Sequence, residues 1–272
     1  MNDSTRVHVV VGGFPVGKHA GHDMDYARFK LLAGLQEHPQ VHATVSGDFT
    51  DCQKWIGDCQ FLITYVAGPY ADDEQAAMLE DWLARGGRWL ALHGTCGGKA
   101  VRTGRPDNRR RWVRARHHDV LGSFFLTHPP IMAMNVNVEV PDHPLTRGLP
   151  ASFEMRDEPY MVELTDPAHS TVLLTTQDID APGYVQEIYG ADSSLLPDGR
   201  SRALGYVREV GEGAVAYFSF GHCHTPSTNV QRTVHASIAT DNVPPLTFKG
   251  VWETSVFEQL MRNALAWGLL ER

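Results

Sequence analysis

Four histidines in this chain fall where a short apolar run breaks at glycine: His22 after Gly21, His93 before Gly94, and His222 with His224 just after Gly221. Imidazole can pass a proton near neutral pH, hydrogen-bond a hydroxyl or, when neutral, bind a divalent ion through one nitrogen. Asp157-Glu158-Pro159-Tyr160 is the strongest acidic cluster. Pro159 forces Glu158 into extended backbone, where neighbours point opposite ways, so one of the two acids faces any crevice there. That carboxylate could take a proton from a substrate hydroxyl, and Tyr160 could share the work or stack on a ring. Each group also has a bland role, as a satisfied core histidine or a solvated acid at a strand end. No compact H-x-x-x-H or H-x-E spacing marks a metal site, and His222-Cys223-His224 comes nearest. In a strand it would set both rings on one side. Acid–base work or substrate contact therefore ranks ahead of metal binding, and zinc or another divalent ion stays open as a cofactor.

Cys96 offers a different chemistry. Gly94-Thr95-Cys96-Gly97-Gly98 follows the apolar run Trp89–Leu92 as a G-x-C-x-G turn. Such an elbow can lift a thiol out of a sheet toward backbone N–H groups that stabilise an oxyanion. The alternative is a small residue tolerated in a tight turn. Seven arginines between Arg102 and Arg116 could clamp an anionic group, but a solvated face balancing the acidic remainder is favoured. Of His117 and His118 just beyond, one is expected to look into the site and one out. Cys52 and Cys59 read as core thiols.

These groups need elements to carry them. Arg6–Val11, Gln40–Ser46, Cys59–Val66 and Arg88–Leu92 read as strands, the last apolar on both faces as in a covered parallel sheet. Helices between them are marked by Asp23 or Asp25 as a cap with Phe29, Leu32 and Leu35 recurring, and by an Asp72/Gln75 capping box before Leu79, Trp82 and Leu83. The order predicts a doubly wound, flavodoxin-like α/β sheet, mostly parallel, with ligand-facing loops past the strand carboxyl ends. From residue 135 the chain turns strand-like: 135–140, 153–164, 171–176, and a hairpin of 203–210 with 214–221 make an antiparallel or mixed C-terminal extension. Thr225–Lys249 reads as a surface loop or arm, and Ser255 with Glu258 caps a last helix presenting Phe257, Met261, Ala264, Leu265 and Gly268.

The 272 residues are expected to form a single domain. A net charge of −8 argues against nucleic-acid or membrane-surface partners. Four cysteines without C-x-x-C spacing fit reduced thiols, and the first residues hold no basic stretch leading into an apolar core. A cytoplasmic protein is expected.

Gly21-His22-Asp23, Leu92-His93-Gly94, His128-Pro129, Asp142–Leu149, Asp157–Tyr160 and Tyr217–His222 stand in this order along the chain. The series resembles the trehalose-utilisation (ThuA-like) family, of the class I glutamine-amidotransferase-like superfamily. The resemblance implies that fold and a role in sugar catabolism on a disaccharide or keto-sugar. His93, Asp157, Glu158 and His222 would then do acid–base work, while His22, Asp23, Thr95, His118, Tyr160 and His224 would hold substrate. A first alternative is a cysteine-dependent amidase or glutaminase-like hydrolase using Cys96 and His222; the superfamily's glutamate two positions after that histidine is here His224, so Asp157 or Glu158 would have to replace it. A second is a non-catalytic sugar-binding or assembly subunit. The expected partner is a small carbohydrate, with homo-oligomer formation open.

Overall fold

The computed structural model describes residues 4–102, 104, 106, 110–180 and 192–270. Strand β1 (Thr5–Gly13) is β-branched and apolar, and leads to helix α1 (Met24–Leu35) and strand β2 (Val41–Ser46). Helical turns through 49–58, including α2 (Cys52–Trp55), precede β3 (Phe61–Ala67), α3 (Asp73–Ala84) and β4 (Arg88–Leu92). A 3-10 turn at His93–Cys96 opens onto a hairpin, β5 (Lys99–Arg102) with β6 (Arg110–Val113), followed by α4 (Arg116–Leu121) and β7 (Ser123–Thr127). Then come β8 (Met132–Val138), β9 (Ser152–Asp157), β10 (Met161–Leu164), β11 (Ser170–Thr176), β12 (Arg202–Val210), β13 (Gly213–Phe218) and α5 (Ser255–Gly268).

One sheet runs in the order β2-β1-β3-β4-β13-β12-β11-β8-β9. The first five strands are mutually parallel, the doubly wound order expected, and the remaining four pairings are antiparallel. Period-two alternation divides the core between the faces. Val7, Val9 and Val11 of β1 pack with α1 and α5, whereas Val10 packs with α3 and the turns at 49–56. Each fully buried Leu, Ile or Phe in these layers contributes about 1.5–3 kcal/mol. The Asp72/Gln75 capping box starts α3 as predicted.

Three details differ from the sequence expectation. Phe29 is 66% exposed, and the buried stripe of α1 is Met24, Ala27, Leu31 and Leu35. Thr254, not Ser255, caps α5. The stretch 153–164 is two strands: Pro159 cannot donate to a ladder, the Tyr160 N–H goes to Ser219 O at 3.0 Å, and β10 leaves to pair with β7. That break leaves Glu158 at the carboxyl end of β9. Of the arginine-rich stretch, 103, 105 and 107–109 lie outside the described residues. Arg114 pairs with Asp119 and Arg116 with Glu80, both exposed pairs on a solvated face. Among the described residues no helix is long and apolar enough to cross a membrane.

Candidate metal centre

Past the strand ends, His22, His93, Glu158 and His222 are all buried and their ligating atoms lie within 4.8 Å of one another. Each arrives from a separate segment. His22 follows Gly21, whose φ of +88° turns the chain back after β1. His93 ends β4 in the left-handed region, with φ +44°, a strained backbone for a residue with a Cβ. His222 follows β13 through Gly221, φ +118°. Asp157 ties two of these segments together: its Oδ1 accepts from the backbone N–H of Glu158 (2.8 Å), Gly221 (3.0 Å) and His222 (2.9 Å). Burial pushes the Asp157 carboxyl up to about 6 against the pull of those three donors. Asp157 thus holds the backbone of these segments, and Glu158 is the acid that faces the histidines.

The hydrogen-bond network assigns the imidazole tautomers. His22 Nδ1 lies 2.9 Å from Ala20 O, and His93 Nδ1 lies 3.2 Å from Ser219 O. A carbonyl only accepts, so both rings carry their proton on Nδ1 and leave Nε2 bare. The two bare Nε2 atoms face each other at 3.0 Å. His224 Nε2 donates to Pro245 O at 2.9 Å, so His224 Nδ1 accepts from His222 Nε2, also at 2.9 Å. In the neutral ring His222 Nδ1 is then bare as well. It stands 3.3 Å from Glu158 Oε2 without the alignment of a hydrogen bond. Glu158 Oε2 is 3.7 Å from His93 Nε2.

Three imidazole lone pairs and a carboxylate oxygen therefore converge with no donor between them. A tetrahedral ion with bonds of about 2.0–2.1 Å sets its ligand atoms roughly 3.4 Å apart, the scale of these separations. Each ligand histidine also gives its other nitrogen to an outer partner, the arrangement metal sites use to fix ring orientation. Electrostatics agree. Burial, reinforced by the charge of His222, pushes His22 down to about 3, and burial with the charge of His22 holds His93 well below its ordinary value. Burial alone would raise Glu158, but His128, His222 and His93 outweigh it and hold that carboxyl well below the usual range. Burial would likewise lower His222, yet Glu158 and Asp157 push it up.

The remaining candidates fall into two groups. Tyr160 walls the cluster, its ring centroid 4.2 Å from that of His93, and His224 is the outer partner of His222. Four others stand apart. Thr95 is buried and donates to Thr64 O at 3.2 Å. His118 spans Ala115 and Gly97 with both nitrogens on backbone. Asp23 caps α1 and pairs with Lys249 Nζ at 2.6 Å. Cys96 has 0% exposure, lies 2.9 Å from the Tyr217 hydroxyl that donates to it, and is pushed by burial up to about 12. The strained elbow position expected for Cys96 is held by His93. Two groups at the site had no role assigned from sequence: His128, 36% exposed with Nδ1 3.2 Å from Glu158 Oε1, and Gln231 on the arm, which donates to the same oxygen. For His128 the adjoining Pro129 was the available signal.

A model of the ThuA family, trehalose utilisation, matches residues 16–238, and the chain belongs to that family. In structure it is similar to a ThuA-like protein from Bacteroides uniformis, with 15% identity, a TM-score of 0.59, and 97% of this chain and 91% of that one covered. A second ThuA-like protein, from Parabacteroides merdae, gives 14%, 0.58, 97% and 90%. A β-galactosidase from a Rahnella species gives 12% and 0.51, over 80% of this chain and 29% of that one. At these identities the likeness speaks for the fold alone. No curated protein matches the chain in sequence.

Proposed function

We propose that the chain holds a divalent metal ion between His22 Nε2, His93 Nε2, His222 Nδ1 and Glu158 Oε2, and uses it to process a carbohydrate, a disaccharide or keto-sugar. The observation that carries the metal is the convergence of three buried imidazole nitrogens and one carboxylate oxygen within 4.8 Å of one another. The family's description, trehalose utilisation, supports the substrate class. When bound, such an ion supplies Lewis acidity toward a sugar carbonyl or hydroxyl oxygen. The sequence alone ranks proton transfer by these histidines first. With His22 pushed down to about 3 and His93 well below its ordinary value, both rings keep their lone pairs and are poor proton carriers, so the order reverses. Tyr160, buried between His93, His128 and Phe125, forms the wall that holds the His93 ring in place. His128 stands at Glu158 Oε1 on the half-exposed side, where a substrate would enter.

The test combines metal analysis of purified protein with melting curves in the presence of disaccharides, keto-sugars, sugar acids and glutamine, with and without chelator. One equivalent of a divalent ion is expected, with stabilisation by a sugar that reaches about 2.7 kcal/mol at a hundredfold excess over its dissociation constant and disappears on chelation. A sugar that stabilises the chelated protein undiminished would return the reading to direct acid–base chemistry. Stabilisation by glutamine alone would move the site to Cys96.

A further inference from the structure

The arm from 225 to 247 is closed at its base by a backbone bridge, His224 N–H to Phe248 O at 2.8 Å and Phe248 N–H to His224 O at 2.9 Å. It then crosses the candidate centre. Gly21 lets it come down beside His22: a Cβ there would lie 2.7 Å from Val230 Cγ2. The Asn229 side chain accepts from the Gln231 N–H at 2.8 Å, and His235 N–H reaches Ile131 O at 2.9 Å, so the backbone on each side of Gln231 is pinned. From this fixed point the Gln231 amide donates to Glu158 Oε1.

The two oxygens of Glu158 therefore have separate surroundings. Oε2 faces His222 and His93, whereas Oε1 faces His128 and takes the Gln231 amide. A carboxylate with both oxygens free can close on a cation with both; one whose far oxygen is held offers a single oxygen. We infer that Gln231 is a positioning residue supplied by the arm, which would hold Glu158 to single-oxygen coordination and so keep the four ligand atoms a tetrahedral set. The inference rests on the metal reading of the preceding section.

The experiment loads the full-length protein with Co²⁺ and compares wild type with Gln231→Met, which keeps side-chain length and removes the donor, and with Val230→Ala, which thins the arm's packing and leaves the amide in place. Gln231→Met should weaken cobalt binding about tenfold, and its visible d–d absorption should lose intensity as the freed Oε1 joins the coordination sphere. Val230→Ala should keep the wild-type spectrum. A wild-type spectrum and affinity in Gln231→Met would overturn the role of Gln231 while leaving the metal in place, as would an equal loss in Val230→Ala. A wild-type protein that binds no cobalt would overturn the metal reading and this inference with it.

Discussion

Two sets of buried histidines touch the same turn, His93–Cys96, and they do different things. In front, His22, His93 and His222 turn bare nitrogens toward one another and toward Glu158. Behind, His118 spends both nitrogens on backbone, and His117 donates Nε2–H to Thr95 O at 2.8 Å while its Nδ1 meets no polar partner among the rings of Phe49, Trp89 and Tyr70. Burial, helped by His118, pushes His117 down to about 3, as far as His22. Burial and a depressed pKa thus fail to separate the two sets. What separates them is convergence: lone pairs aimed at one point with an anion beside it make a candidate site, while a lone pair aimed at aromatic edges is a packing cost of about 1–3 kcal/mol.

The sharpest way to break this contrast is to remove a front ligand. His93→Ala or Glu158→Gln should weaken metal binding by more than about 100-fold, the upper end seen for outer-shell partners. His117→Phe at the rear should leave the metal affinity at the wild-type value. Calorimetric titration with Zn²⁺ checks both. Equal affinities in all three variants would mean that the front cluster is packing like the rear one.

Acid sharpens the contrast from the other side. His117 is at 6.5 in the unfolded chain and about 3 in the fold. Above 6.5 both states are neutral and its stability contribution is complete. As pH falls below 6.5 the unfolded chain takes a proton the fold refuses, so stability is lost progressively down to about 3. At pH 5 this single residue costs about 2 kcal/mol. Urea unfolding of the chelated protein at pH 7.5 and 5 should therefore show a smaller acid loss in His117→Phe than in wild type, by about that amount. In the metal-loaded protein the front histidines add to the acid loss, because protons compete with the ion for the same lone pairs.

The doubly wound half of the fold was legible because β1, β3 and β4 are largely apolar runs with glycine at or just past their ends, and β-α alternation leaves little choice of topology. The four residues brought together, His22, His93, Glu158 and His222, stood out one at a time, each a histidine beside a glycine or an acid before a proline at a strand end. Their chemistry was not. His22 and His93 are 71 positions apart in the chain and 3.0 Å apart in space, so no local spacing carries a metal signature. The hydrogen bonds that bare the lone pairs come from Ala20, Ser219 and Pro245 carbonyls, which every residue type possesses. Gln231 sits in a polar segment without periodicity, and nothing in its neighbours marks it.

Cys96 is the position where pattern and structure part most clearly, and it yields the smallest expected effect. G-x-C-x-G matches a nucleophile turn, but the left-handed backbone falls three residues earlier, at His93, and the thiol points to Tyr217 within the rear core. Burial pushes the thiol up to about 12, away from the thiolate a nucleophile needs. Among the described contacts its partners are the Tyr217 hydroxyl and His93 O. Its sulfur and His93 O, each 2.9 Å from the Tyr217 hydroxyl, share that group's single proton, which ties the tyrosine to the backbone at His93. Cys96→Ser keeps an acceptor for Tyr217 in a slightly smaller volume. It should lower stability by about 1 kcal/mol and leave metal affinity and sugar turnover unchanged. Turnover lost in Cys96→Ser with metal affinity intact would place the nucleophile in the rear set and reverse the division drawn between the two.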